Sequence, residues 1–190
     1  MPLAASPPRR RLARALVCGL ACAAVPALRA SDVEQAEYRI KAAFLCKFGN
    51  YVEWPGRPPG GVGEAFGVGV LAAAPVVDEL RAAAQGQTVH GQPIAVRRLE
   101  RGAAFDGVAI VFVARSHADQ LARVQAAVAQ RPVLLVTESE RGVPPGSMVN
   151  FVVVDDKVRS DIALEPAQRS SLKISARLLG VARHISGGTS

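Results

Sequence analysis

Two eight-residue stretches, "GVAIVFVA" (107–114) and "RPVLLVTE" (131–138), each hold an unbroken apolar run. A strand wetted on one side alternates apolar with polar residues, so a continuous apolar run is a strand buried on both faces. Between them "SHADQLARVQAAVAQ" (116–130) carries helical spacing, with Ser116 as candidate N-cap. The same unit occurs upstream. "FGVGVLA" (66–72) reads as a buried strand and "PVVDELRAAAQ" (75–85) as a helix with Pro75 in its first turn. "TVHGQPIAVRRL" then holds a turn at His90-Gly91 and a strand from Ile94 to Leu99. Buried strands alternating with helices predict an α/β fold, a mainly parallel sheet flanked by helices on both faces.

The flanks extend this core. "SDVEQAEYRIKAAFLCKFGNYVEWP" opens on Ser31 and Glu34, a capping-box pair. Val33, Ala36, Ile40, Phe44, Phe48 and Tyr51 recur at helical spacing, and Trp54-Pro55 supplies the stop. "PGRPPGGVGEA" reads as a loop. "SMVNFVVVDDKVRSDIAL" places two apolar arms around Asp155-Asp156-Lys157, which predicts an antiparallel hairpin at one sheet edge. "EPAQRSSLKISARLLGVARHI" reads as a closing helix with Leu172, Ser175, Leu179 and Ala182 on one face. Residues 186–190 read as a flexible tail, and there is no internal repeat.

The first thirty residues set the compartment. Arg9, Arg10, Arg11 and Arg14 precede an apolar run from Ala15 to Val25, followed by small residues at Ala27 and Ala30. This is the layout of a cleaved signal peptide, with the run too short to span a bilayer. Cleavage after Ala27 or Ala30 leaves a single domain over 31–185 in the periplasm. The whole chain carries 23 Lys and Arg against 16 Asp and Glu. Five of the basic residues and none of the acidic ones lie in the leader, leaving 18 against 16, a net charge of +2. A nucleic-acid partner, invited by the net +7 of the full chain, loses its basis. No later run is long enough to insert in a membrane.

The leader also takes Cys18 and Cys22, so the exported chain keeps Cys46 alone and can form no internal disulfide. Three readings of Cys46 remain: an inert thiol, an intermolecular contact, or the nucleophile of a thiol-dependent hydrolase. His90, His117 and His184 stand in no motif that would activate it. Their spacing offers no metal site, and no cofactor is expected. Gly67 and Gly69 lie inside a strand pattern, which is not the strand-turn-helix setting of a dinucleotide loop; close packing of a helix over the strand explains them. Ser116-His117, an adjacent pair, is not the geometry of a dyad. The sequence therefore predicts no catalytic residues. Arg97, with Arg177, Arg183 and His184 on the closing helix, forms a candidate site for an anionic ligand, since guanidinium forks suit carboxylate and phosphate.

"YRIKAAFLCKFGNYVEWP" resembles the opening signature of the YfiR-like family (DUF4154), a Lys-Ala-Ala-Phe-Leu run ending in Trp-Pro after a signal peptide. "FGVGVL", "GQPIAVRRL", "AIVFVARS", "GSMVNFVVVDDKVRSDIAL" and "LKISARLLGVAR" resemble its later segments in order, over roughly residues 37–185. The resemblance implies a non-enzymatic periplasmic regulator that binds the periplasmic sensor domain of an inner-membrane signalling protein. In the best-known system that protein is a diguanylate cyclase, repressed so as to control cyclic di-GMP and biofilm formation. It also implies a homodimer able to bind small ligands. The candidate contact residues are Phe44, Cys46, Phe48, Tyr51 and Trp54 near the first helix and Leu178 and Leu179 on the last. Relatives carry disulfides, and redox control through an internal one does not carry over to a chain with only Cys46. The rival reading is a periplasmic binding protein for an anionic small molecule.

Overall fold

The computed structural model describes residues 25–56 and 65–187; most of the leader, the centre of the Pro/Gly loop and residues 188–190 lie outside them. The chain runs α1 (Val25–Phe48), β1 (Val52–Glu53), β2 (Phe66–Leu71), α2 (Ala74–Ala84), β3 (Thr88–Val89), β4 (Gln92–Arg98) and β5 (Ile110–Val113). A 3-10 turn (Arg115–Gln120) leads into α3 (Leu121–Val128), then β6 (Leu134–Glu138), β7 (Val149–Val154) and β8 (Lys157–Ala163). Short pieces close it: α4 (Leu164–Arg169), β9 (Lys173–Ile174), α5 (Ala176–Leu179) and β10 (His184–Ser186).

Eight strands form one sheet in the order β10-β8-β7-β6-β5-β2-β4-β3, and β1 pairs with β9 in a separate two-stranded sheet. The run β4-β2-β5-β6-β7 is parallel throughout. Alternate residues divide the core. Ile110, Phe112, Leu134 and Val136 pack with Tyr38, Ala42, Leu45 and Phe48 of α1 and Val76, Val77 and Leu80 of α2. Val111, Val113 and Leu135 pack with Val124 and Val128 of α3 on the other face. The expected parallel sheet with helices on both faces is the observed one. The hairpin also forms: β7 and β8 are antiparallel around Asp155 and Asp156, both in the left-handed region at φ 49° and 55°. That pair of conformations gives the turn whose twist matches two strands. The hairpin is not outermost, because β10 adds in parallel outside β8.

Four local expectations are corrected. Ser31 does not start the helix, since α1 is already helical from Val25, with Pro26 in the tolerated first turn. The helix stops at Phe48, before Trp54-Pro55: Asn50 and Tyr51 donate to the carbonyls of Lys47 and Phe48 at 3.0 Å, and the chain turns into β1. Gly49 permits this, because a Cβ there would lie 2.4 Å from Val89 Cγ2. The buried stripe of α1 is Tyr38, Ala42, Leu45 and Phe48, whereas Val33 and Ile40 of the expected stripe are 68% and 46% exposed. Ser116 lies inside the 3-10 turn, and its hydroxyl meets His117 Nδ1 at 3.0 Å instead of capping α3.

The largest correction is the closing helix, which is four elements. Ser171 adopts φ 57°, and the amide of Leu172 bonds to Ala167 O at 2.8 Å, ending α4. Lys173 and Ile174 then pair with Glu53 and Val52. Ser175 restarts a single helical turn by accepting from the Leu178 amide. Strand pairing with β1 outweighs the helical periodicity of this segment. Gly67 also reads differently: its Cβ would fall 2.0 Å from the carbonyl oxygen of Gly107, so the close approach is to the loop before β5, not to a helix.

Candidate functional site

β5 and β6 end side by side, with Val113 opposite Thr137 in register. Their carboxyl ends, joined by that of β7, face the middle of α1, from Glu37 to Lys41. Glu138, the last residue of β6, is 7% exposed, and Lys41 of α1 is fully buried. Charges are buried at this depth only when paired. Lys41 Nζ donates to Glu138 Oε1 at 2.6 Å and to Glu37 Oε1 one turn earlier on α1. Arg115, which opens the 3-10 turn after β5, reaches Glu37 Oε1 at 3.0 Å and Glu138 Oε1 at 3.0 Å, and its backbone amide donates to Glu138 Oε2. The Tyr38 hydroxyl donates to Glu138 Oε2 at 3.1 Å, and Lys41 Nζ stands 4.8 Å from the centroid of that ring. Two cations and two carboxylates thus balance, with a phenol closing the set.

The environment fixes the protonation of Glu37 and Tyr38. Burial pushes the Glu37 carboxyl upward, but the hydrogen bond and charge of Lys41, with Arg115 beside it, outweigh burial and hold it below the usual range. Burial, then the adjacent Glu138 carboxylate, pushes the Tyr38 phenol above its ordinary value. At neutral pH the carboxylate of Glu37 is therefore charged and the phenol of Tyr38 neutral.

On the opposite face a neutral network shapes the loop after β6. Thr137 Oγ1 lies 2.8 Å from Ser147 Oγ and donates to Asn150 Oδ1 at 3.0 Å; Asn150 Nδ2 donates to Ser139 O at 2.8 Å. Between this loop, the 3-10 turn and α1 opens a cleft of about 490 Å³ at the carboxyl ends of β5, β6 and β7. Its walls include Val113, Leu121, Pro144, Phe151 and Val152, with Arg115 and Arg141 among the charged residues lining it. Crevices at strand carboxyl ends are where open α/β sheets bind ligands.

The residues proposed from sequence lie elsewhere and do not converge as one group. Arg97, on β4, donates to the carbonyls of Ala104 and Asp106. Five strands separate β4 from β10, about 29 Å at 4.8 Å per strand. The guanidinium of Arg177 on α5 stands 6.0 Å from the Tyr51 ring centroid. Arg183 forms a two-point pair with buried Asp161, with Nε at 2.8 Å from Oδ1, and His184 is exposed on β10. Arg177, Arg183 and His184 thus do not share a helix. Of the candidate contact residues, Phe48, Trp54 and Leu178 are core, while Phe44, Cys46, Tyr51 and Leu179 are half-buried. Burial pushes the Cys46 thiol pKa up, and among the described residues it has no hydrogen bond to a histidine.

Glu37, Lys41, Arg115 and Glu138 escaped the sequence reading. The signal available was Glu138 itself: a charge closing an apolar parallel strand at its carboxyl end sits where such sheets bind.

Fold and cleft together define a small α/β domain whose first helix is latched to the sheet by charge. The YfiR/HmsC-like family profile (DUF4154) matches residues 38–183, and the chain belongs to that family. The match begins at Tyr38, the first buried residue of α1 from Ser31 onward, and ends at Arg183, the partner of Asp161. The family is periplasmic and regulatory rather than enzymatic. Comparison with curated proteins found no match. No helix among the described residues is long and apolar enough to cross a membrane.

Proposed function

We propose that this protein is exported to the periplasm, binds the periplasmic sensor domain of an inner-membrane signalling protein, most directly a diguanylate cyclase, and represses it. Cyclic di-GMP and biofilm formation are then its outputs. Family membership carries the reading. The outer face of α1 supports it: Val33 and Ile40 point apolar side chains to solvent on a helix whose inner face is fixed to the sheet. A rigid apolar stripe is what a helix-binding surface engages. By preferring one state of its receptor, the bound protein shifts that receptor's equilibrium.

Removal of the leader fits the same picture. Cleavage after Ala30 leaves Ser31 as the first residue and Glu34 three positions on, restoring a capping box to the start of α1. Self-association as a homodimer is proposed from the family alone.

The test is genetic and then structural. Deleting the gene raises cyclic di-GMP, and complementation with the parent lowers it again. An Ile40→Asp, Val33→Asp variant, altered only at exposed positions, folds normally but fails to complement. Unchanged cyclic di-GMP on deletion overturns the proposal, and a full-length cytoplasmic product in fractionation overturns export.

A further inference from the structure

We propose that the cleft at the carboxyl ends of β5, β6 and β7 binds a small aliphatic carboxylate. Its head is held by Arg141 and Arg115, and its tail runs along Val113, Leu121, Pro144 and Val152. This inference stands apart from the identity of the protein partner.

Size and place come first. About 490 Å³ lies within the range of small-molecule sites. The choice of an anion follows from how the lining charges are already spent. Lys41, Glu37 and Glu138 are locked together, and Lys41 has no exposed surface to offer. Arg141 is exposed, and its side chain has no ion-pair or hydrogen-bond partner among the described residues; its backbone amide is tied to Ser139 Oγ at 3.3 Å. Arg115 keeps 41% of its side chain exposed, and its outward nitrogen meets only Glu140 at 3.9 Å, a carboxylate that is itself 87% exposed. Such a surface pair is weak and readily exchanged for a better-placed acceptor. The Arg141 guanidinium, together with the one Arg115 nitrogen that Glu37 and Glu138 leave over, matches a carboxylate.

The walls decide the tail. The apolar part of the lining is aliphatic except for Phe151, and that ring is 1% exposed, stacked on Phe48 at 5.7 Å and edge-on to Phe112 at 6.1 Å. No aromatic face is free to stack on a ligand ring, so an alkyl chain fits better than an indole or a nucleobase.

Titration calorimetry of the purified protein with octanoate tests this. Saturable binding at one site per chain is expected. Octanol, with the tail and no charge, and acetate, with the head and no tail, should each bind at least about tenfold more weakly. Arg141→Ala should weaken octanoate by about tenfold or more without moving the melting temperature, while Arg177→Ala, outside the cleft, leaves it unchanged. Val152→Asp, placing a like charge beside the tail, should abolish binding. Absence of octanoate heat overturns the proposal, as does octanol equal to octanoate, equal loss in Arg141→Ala and Arg177→Ala, or tighter binding of indole-3-acetate. None of these outcomes bears on repression of a cyclase, which the deletion experiment reads separately.

Discussion

One helix meets one sheet by two unlike chemistries. At the C-terminal end of α1, Phe44 and Phe48 close on Phe151 with ring centroids 6.2 and 5.7 Å away, and Phe112 adds an edge contact. About two turns earlier the same face presents Lys41, Tyr38 and Glu37 to Glu138 and Arg115. The aromatic end is non-directional burial, and it sets how strongly α1 is held. The ionic end demands that five groups be placed together, and it sets where α1 is held. Buried charge offsets its desolvation only when every partner is present. The cleft opens at the ionic end, so the directional half of the interface is also the half that borders the candidate site.

The two ends should break differently. Phe48→Ala removes a fully buried ring and should cost about 3–5 kcal/mol in denaturant unfolding, with loss of α1 protection in hydrogen exchange. Lys41→Met should cost about 3 kcal/mol, because Glu37 and Glu138 are left near one another with Arg115 alone to balance them. Adding Glu138→Gln should then restore about 1 kcal/mol or more, since the amide still accepts from Tyr38 and no carboxylate is unpaired. A double variant worse than the single would mean that the ionic end is held by packing of the lysine stem, not by charge. Gly49→Ala tests the hinge between the helix and β1. With Val89 Cγ2 at 2.4 Å from the new Cβ, a loss of about 1–3 kcal/mol is expected, and an unchanged unfolding midpoint would show that Val89 yields freely.

The same division marks what could be read from sequence. Elements whose burial is set by their own pattern were legible: the apolar runs of β5 and β6, the Asp155-Asp156 hairpin, and α2 behind its Pro75. Their side chains meet neighbours of one kind, so periodicity alone assigns them. Illegible were segments whose structure depends on a distant partner. Lys173-Ile174 becomes a strand only because Glu53-Val52 lies beside it. The face of α1 was misassigned for the same reason. Val33 and Ile40 make an apolar stripe as good as the true one, and a buried lysine counts against the real core face until Glu138, 97 residues away, is placed beside it. The candidate site is built from that long-range pairing, so it was the least visible part.

The smallest expected effect separates the two ends by pH. Glu37 has its folded pKa held below the unfolded value, so its contribution to stability is present above the unfolded pKa and fades as pH falls through the folded one. Tyr38 is displaced the other way. Its stability is intact below the phenol's ordinary pKa and declines as pH rises beyond it, when the unfolded chain ionises first. The ionic end should therefore loosen in both acid and alkali, while the rings of the aromatic end do not titrate and the Cys46 thiol between them, pushed up by burial, does so only in alkali. Stability measured below pH 4.5 against pH 7 should fall less in Glu37→Gln than in the parent, and stability above pH 10 should fall less in Tyr38→Phe. Hydrogen exchange resolves the ends directly: amides around Lys41 should lose protection at either extreme before those around Phe48 do. Loss of both together would make α1 a single cooperative unit, with the charges and the rings stabilising one undivided interface.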